Sequence, residues 1–317
     1  MDNIRHVISV SGGKDSAATL LLALERCPRE AVVPIFCDTG NEHQAVYEYL
    51  TYLEQALDIT IHRLKADFSE QIAAKRRFIA RDQRTRRVNG RRVRWSNKAK
   101  RRALEVLHPT GNPFLDLCLW KGRFPSRKAQ FCTEELKRNM AVSFQIDLID
   151  ADYRVVSWQG VRRDESLNRR NAKKIERIGP SLYAFRPLVE WTAMQVFDYC
   201  ASKNLRPNPL YSQGCNRVGC MPCINVSKME LREIASRWPE HIARISEWEH
   251  MVGCVSKRGA STFLTDSHDA ADRREVFADL NIHARVDWSK TSRGGKQYDM
   301  LAFLEPVACS SAYGLCE

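Results

Sequence analysis

Two short stretches of the chain hold the residue types that phosphate and sulfur chemistry require. The first is Ser11-Gly12-Gly13-Lys14-Asp15-Ser16. Glycines let a backbone approach an anion closely, and the amino end of a following helix supplies N–H groups and positive potential. Ser11 and Ser16 add hydroxyl donors. In chemical terms this is an anion cradle, and the plainer alternative is a tight Gly-Gly turn. The spacing is neither G-x-x-x-x-G-K-[ST] nor G-x-G-x-x-G. The second stretch is Cys220-Met221-Pro222-Cys223, with Cys215 five residues earlier. Three thiols so close on one loop can turn toward a single metal centre, iron–sulfur or structural zinc. A redox-active C-x-x-C without metal uses the same residues.

Charge adds a third feature. The 317 residues carry a net charge of +12, but segment 75–102 alone holds fourteen Lys/Arg against one acid, Asp82. The remainder of the chain is close to neutral. Such a segment attracts polyanions by counterion release, and an aromatic within it can stack on a base. The expected nucleic-acid contacts are Arg86, Arg87, Arg91, Arg92, Arg94 and Trp95. Two other uses stay open: a solvated helical segment that keeps the chain soluble, and arginines that grip a small phosphorylated substrate.

These residues need a scaffold. A hydrophobic fraction of 44% and a charged fraction of 28% exclude wholesale disorder. The longest apolar-rich run, 17–24, is far short of a membrane span. Eleven cysteines without a secretory leader predict reduced thiols or metal ligands and a cytoplasmic setting. Val7–Val10, the glycine loop and Ala17–Glu25 read as strand, turn and helix. Ala31–Phe36 and Ile59–Leu64 are strand-like, with a helical pattern over His43–Leu57 between them. Helices are predicted over Glu134–Asp147, Thr192–Lys203, Lys228–Arg237 and Pro239–Met251, and a strand over Arg154–Gln159. Repeated β–α alternation predicts an α/β fold with a doubly wound, mainly parallel sheet, its ligands at the carboxyl ends of the strands. The expected organisation is an α/β nucleotide-binding domain over 1–225, with a basic insertion at 70–110 over the sheet edge. A helical C-terminal part would follow over 226–317.

Ser-Gly-Gly-Lys-Asp-Ser after a first strand resembles the PP-loop of the adenine-nucleotide α-hydrolase superfamily. Phe36-Cys37-Asp38-Thr39-Gly40-Asn41-Glu42 and Gly160-Val161-Arg162-Arg163-Asp164-Glu165-Ser166, with Arg169 and Arg170, resemble motifs of its phosphoadenosine-phosphosulfate reductase-like branch. The resemblance implies nucleotide binding by Ser11, Gly12, Gly13, Lys14, Asp15, Ser16, Asp38, Thr39, Gly160, Arg162 and Arg169. It implies a catalytic group of Lys14, Asp15, Arg162 and Glu165, acting on ATP with Mg²⁺. Asn208–Cys223 resembles the cysteine loop of iron–sulfur adenylyl-sulfate reductases, in which an upstream Cys-Cys pair completes a four-iron site. Here Phe131 precedes Cys132, so the implied [4Fe–4S] ligands are Cys132, Cys215, Cys220 and Cys223, with Cys215 replacing the missing thiol. The terminal Gly314-Leu315-Cys316-Glu317 departs from the reductases' Glu-Cys-Gly-x-His tail. Cys309 and Cys316 could carry a persulfide, close a disulfide or be inert. Taken together, the features resemble the ATP-pyrophosphatase component of DNA phosphorothioation systems. That likeness implies sulfur transfer to nucleic acid, with a cysteine desulfurase as the sulfur source. Sulfonucleotide reduction in sulfur assimilation is the alternative.

Overall fold

A computed structural model describes residues 3–83, 86–88, 91–93, 95–264, 280–292 and 297–298. The first half is a run of β–α units: β1 (Ile4–Ser9), α1 (Lys14–Arg26), β2 (Val32–Asp38), α2 (Gln44–Leu57) and β3 (His62–Lys65). The chain returns to the sheet at β6 (Arg154–Trp158) and ends it with the hairpin of β7 (Ile175–Arg177) and β8 (Leu182–Phe185). The strand order is β3-β2-β1-β6-β8-β7. Every pairing is parallel except β7 with β8, so the expected doubly wound α/β sheet is present with one antiparallel edge. That hairpin has no counterpart among the expected strands.

The strand order reverses at β1, which has β2 on one side and β6 on the other. In open α/β sheets ligands bind outside the strand ends at such a reversal. The glycine loop after β1 and Gly160 after β6 both lie there.

Helix α7 (Asn139–Asp150) covers one face, where Phe144, Leu148 and Ile149 pack on Val7, Ile35 and Val155. The other face carries α1, α2 and α8 (Ala193–Ser202) in one large apolar cluster. Its members continue into α9 (Lys228–Arg237), α10 (Pro239–Val255) and α11 (Ile282–Ser289), so the C-terminal helices share the core of the sheet.

Segment 69–121 leaves from edge strand β3 as α3 (Ser69–Arg81), the hairpin β4 (Arg86–Val88) and β5 (Arg91–Val93), α4 (Asn97–Val106) and α5 (Pro113–Lys121). These helices pack on one another and on α10. Three of the segment's cations serve this packing. Lys75 donates to Leu119 and Trp120 O at 2.9 and 2.6 Å, at the carboxyl end of α5. Arg76 does the same for α4 through Leu104 and Leu107 O, and Arg102 for α10 through Cys254 and Ser256 O. Cations at helix carboxyl ends satisfy orphan carbonyls and complement the helix dipole. Burial lowers the Lys75 pKa to about 8.

Trp95 corrects an expectation. It is only 8% exposed, within the core, and Lys257 lies over its ring, so it is not placed to stack on a base. A large apolar side chain beside the α4–α10 contact is worth more buried than wet. The side chains of Arg86, Arg87, Arg91 and Arg92, and all of Arg94, lie outside the described residues.

Candidate nucleotide and thiol site

The phosphate loop owes its shape to its glycines. Gly12 has φ +76°, and a Cβ there would come within 2.9 Å of Val46 Cγ1. Gly13 is the extended residue that caps α1 and leaves its amino end without a side-chain cap. The two serines brace the turn: Ser11 N donates to Ser16 Oγ at 3.0 Å, and Ser16 Oγ donates to Gly13 O at 2.8 Å. Lys14 is 7% exposed. Its Nζ pairs with Asp15 Oδ2 at 2.9 Å, and its backbone N–H donates to Tyr211 Oη at 3.0 Å. Arg162, 3% exposed, closes the same carboxylate from the β6 side and also pairs with Asp164. Asp15 thus holds two buried cations in one place, as a phosphate site needs.

Gly160 forms the wall behind them. A Cβ at this position would lie 2.9 Å from both C and O of Asp15 and 3.1 Å from Ser16 N. Glu165 and Arg169 pair with each other on the exposed side of the same loop, away from Asp15's pairing.

At the end of β2, Asp38 Oδ1 accepts from Gly40 N at 2.9 Å and from Tyr47 Oη at 2.8 Å. Thr39 Oγ1 donates to Glu42 Oε1 at 2.7 Å, and Glu42 is 5% exposed. Cys220 Sγ lies 3.4 Å from Thr39 Oγ1 and 3.7 Å from Glu42 Oε1. The cysteine loop is pinned to this strand end by Met221 N donating to Asn41 O and Asn41 Nδ2 donating to Pro222 O. Arg244 from α10 donates to Asn41 Oδ1 and Met221 O. The Met221–Pro222 peptide is cis.

Cys132 sits at the start of a helix that runs through α6 (Phe131–Thr133) and a wide π-turn, 134–138, into α7. π-turns recur at functional sites. This one carries Lys137, whose pKa is raised chiefly by Cys220, with burial opposing and Glu42 and Cys223 adding. Cys220 itself is pushed up to about 11 by burial, with Lys137 pulling down and Glu42 pushing up. Burial also raises Cys132, with Cys223 adding to the rise. Arg217 Nη1 donates to Cys223 Sγ at 3.8 Å.

Cys223 is therefore within electrostatic reach of both Cys132 and Cys220, and Lys137 and Glu42 of Cys220. Cys215 is turned elsewhere. It is 5% exposed in the apolar cluster, and its neighbouring charges are Glu230, Arg237 and Glu233. The physical reason is local: Cys215 N donates to Leu210 O, closing a turn that tucks the side chain beneath α9. Among the described residues, no three His, Cys, Asp or Glu side chains stand in a metal-holding arrangement. The expected four-cysteine set does not fit a cluster with these side-chain positions. Cys309 and Cys316 lie outside the described residues.

The expected residues thus gather into two centres joined by one stretch of chain, 208–223. It contacts the phosphate loop through Asn208 Nδ2, which donates to Gly12 O at 3.2 Å, and through Tyr211. It reaches the thiols at its other end. Glu42, Lys137, Tyr211, Asn208 and Arg244 were missing from the expected site. Glu42, Asn208 and Tyr211 lay inside stretches already singled out.

Residues 5–226 match the model of the phosphoadenosine phosphosulfate reductase domain. The chain is 47% identical to the "uncharacterized 37.8 kDa protein in gpa 5'region" of Escherichia phage 186, over 98% of this chain and 96% of that one. It is 32% identical to an adenosine 5'-phosphosulfate reductase of Rhizobium meliloti strain 1021, over 25% of this chain and 30% of that enzyme. Among solved structures, a phosphoadenylyl-sulfate reductase from Candida auris in a phosphate complex aligns with a TM-score of 0.41 and 17% identity, covering 69% of this chain and 82% of that one. No helix among the described residues is long and apolar enough to cross a membrane.

Proposed function

Since the chain belongs to the phosphoadenosine phosphosulfate reductase domain family, we propose that it is an ATP pyrophosphatase that transfers sulfur to a phosphate oxygen position of nucleic acid, as in DNA phosphorothioation. The observation that carries this reading is the 208–223 stretch, which touches the phosphate loop at Gly12 and Lys14 and brings Cys220 to Thr39 and Glu42 at the neighbouring strand end. A phosphate-binding centre and a thiol centre built on one loop suit a reaction that activates an oxygen and then replaces it with sulfur.

In this proposal ATP binds as its Mg²⁺ complex at the amino end of α1. A non-bridging phosphate oxygen of the acceptor attacks the α-phosphorus, the α–β P–O bond breaks, and pyrophosphate leaves. Lys14 and Arg162, held by Asp15, stabilise the charge that develops on the phosphates. A persulfide on Cys223, loaded by a cysteine desulfurase, attacks the acceptor phosphorus through its outer sulfur and expels AMP. Cys220 then attacks the inner sulfur. This frees the phosphorothioate and leaves a Cys220–Cys223 disulfide for an external dithiol to reduce.

The test uses the full chain purified without oxygen, with ATP, a DNA duplex and a persulfide donor. Pyrophosphate and AMP release in equal amounts, with phosphorothioate linkages detected after nuclease digestion, supports the proposal. Sulfite formation from adenylyl sulfate without ATP turnover overturns it in favour of sulfonucleotide reduction. Iron and sulfide analysis of the same preparation tests the cluster: about four irons per chain requires Cys215 to swing toward the other thiols.

A further inference from the structure

The 162–178 segment carries a second concentration of positive charge, and Arg163, Arg170, Lys173, Lys174 and Arg177 within it are exposed. Arg162, Arg163, Arg169, Arg170, Lys173, Lys174 and Arg177 face three acids, Asp164, Glu165 and Glu176. Each acid already has a basic partner: Asp164 has Arg162, Glu165 has Arg169 and Glu176 has Arg186. Lys173, Lys174 and Arg177 are exposed and form no ion pair among the described residues. Beside them Leu167 is 84% exposed, Ile175 64% and Ile178 56%, on the loop and on edge strand β7.

This surface is tied to the phosphate site by a short chain of contacts. Gly160 backs onto Asp15 and Ser16. Next to it, Gln159 Oε1 accepts from Arg186 Nε at 2.9 Å. The same guanidinium donates to Lys173 O at 3.0 Å, and Arg186 N donates to Lys174 O at 2.8 Å. Arg163 holds Ala172 O from the other side at 3.0 Å. The lysine pair is therefore fixed in place relative to the phosphate loop.

We propose that the 170–178 loop and the outer edge of β7 form the track on which the sugar–phosphate backbone of the polynucleotide acceptor lies. This rests on the function proposed above and names where its acceptor docks. Charge complementarity selects the occupant: seven cations against three acids, three of the cations exposed without an ion pair among the described residues, on a loop leading to a phosphate site, match a polymer of phosphates. One or two charges suffice to protect an edge strand from pairing with other strands. Here the run continues along the loop back to Arg162. Among the described cations of 75–102, Lys75, Arg76 and Arg102 are engaged at helix ends, whereas Arg77, Arg81, Lys98 and Arg101 are exposed, so the test includes that segment. Exposed aliphatic side chains beside the cations suit contact with sugars and base edges without sequence readout.

The test compares the full-length wild type with the triple variant Lys173→Gln, Lys174→Gln, Arg177→Gln, and with Arg91→Gln, Arg92→Gln. Binding of a fluorescein-labelled DNA duplex is followed by anisotropy across a KCl titration, with ATP affinity measured in parallel by isothermal titration without DNA and pyrophosphate release measured with duplex present. The triple variant is expected to bind at least about tenfold more weakly at low salt. Its slope of log affinity against log salt should fall by about 2 to 3, one unit for each lost phosphate contact. Its affinity for ATP should be unchanged. Equal binding by wild type and triple variant, with loss in the 91/92 variant, overturns the track but leaves the proposed function standing. If wild type binds phosphatidylglycerol vesicles and not DNA or RNA, both the track and the nucleic-acid part of the function fall. If pyrophosphate release is absent even with saturating duplex while duplex binding depends on the three side chains, the track stands and the pyrophosphatase reading falls.

Discussion

Gly160→Ala isolates the phosphate loop from the rest of the fold. The added methyl would sit 2.9 Å from Asp15 C and O and 3.1 Å from Ser16 N. All three are backbone atoms that no rotamer change can move. Relaxing such contacts to an ordinary separation of about 3.5 Å requires the β6 loop and the amino end of α1 to part by roughly 0.5 Å. Overpacking of this kind costs about 1–3 kcal/mol. For 317 residues, at about 2.1 cal/mol/K of unfolding entropy per residue, Tm falls by only about 2–5 °C. The effect on ligand should be larger. Hydrogen bonds to charged phosphate oxygens contribute about 1.5–3 kcal/mol each. Misaligning one of the α1 donors, or drawing Arg162 off Asp15, should therefore weaken ATP and pyrophosphate binding by about 10- to 100-fold. Isothermal titration with each ligand, alongside a thermal melt, reads both quantities. Gly179→Ala is the control, since its nearest neighbour is Leu182 Cβ at 3.9 Å, and it should match wild type in both. Wild-type affinity in Gly160→Ala would refute the placement of the phosphate site against the β6 loop.

Lys14→Met should reduce ATP turnover at least about 10-fold with little change in Tm, because Asp15 keeps Arg162 as a partner; a steady-state pyrophosphate assay with a thermal melt checks this. Glu249, 1% exposed, accepts from Phe263 N and Ile282 N, and burial raises its pKa to about 7 despite those donors. A carboxyl raised above its unfolded value binds more protons when folded, so its contribution to stability is full below about pH 4.5 and lost as pH rises to 7. The ceiling is about 3 kcal/mol. Glu249→Gln should flatten the fall in Tm between pH 5 and 7, and an equally steep fall in the variant would assign it to other groups. Trp95→Ala should cost about 3–5 kcal/mol in a denaturant titration, as loss of a buried aromatic does. Wild-type stability with weakened DNA binding would return this residue to the surface role first expected for it.

What was legible in the sequence follows from how local each signal was. The β1–loop–α1 unit reads directly, because strand, glycine turn and helix are contiguous and only glycine fits at position 12. The β7–β8 hairpin does not, since its strands have three and four residues and Ile175 and Ile178 face solvent, so apolar periodicity points to no core. Local density alone does not say where each side chain ends up. The charge of 75–102 reads as an interface, yet Lys75, Arg76 and Arg102 point at carbonyls that only the folded helix ends present. Cys215 reads as the fourth ligand by proximity to Cys220, yet a closed turn sends its side chain to α9. Lys137 was invisible because its place depends on a π-turn, which shifts the helical register by one residue.

The same contrast bears on how the two centres communicate. Asn208 and Tyr211 hold the phosphate loop through one donor and one acceptor, and the turn just after Cys220 is held at Asn41 by a buried side chain that also receives Arg244. Movement of Gly12 or Lys14 on binding phosphate has few routes of relaxation, because Gly12 abuts Val46 and Gly13 abuts Tyr211. Tyr211 is the side chain through which such movement would reach the cysteine turn. Tyr211→Phe removes the acceptor for the Lys14 N–H while keeping the ring against Phe197. If the centres are mechanically coupled, this change should alter how ATP affects the alkylation rate of Cys220 by iodoacetamide, beyond any change in ATP affinity. If ATP protects or exposes Cys220 to the same degree in wild type and variant at saturation, the two centres share a loop but not a motion.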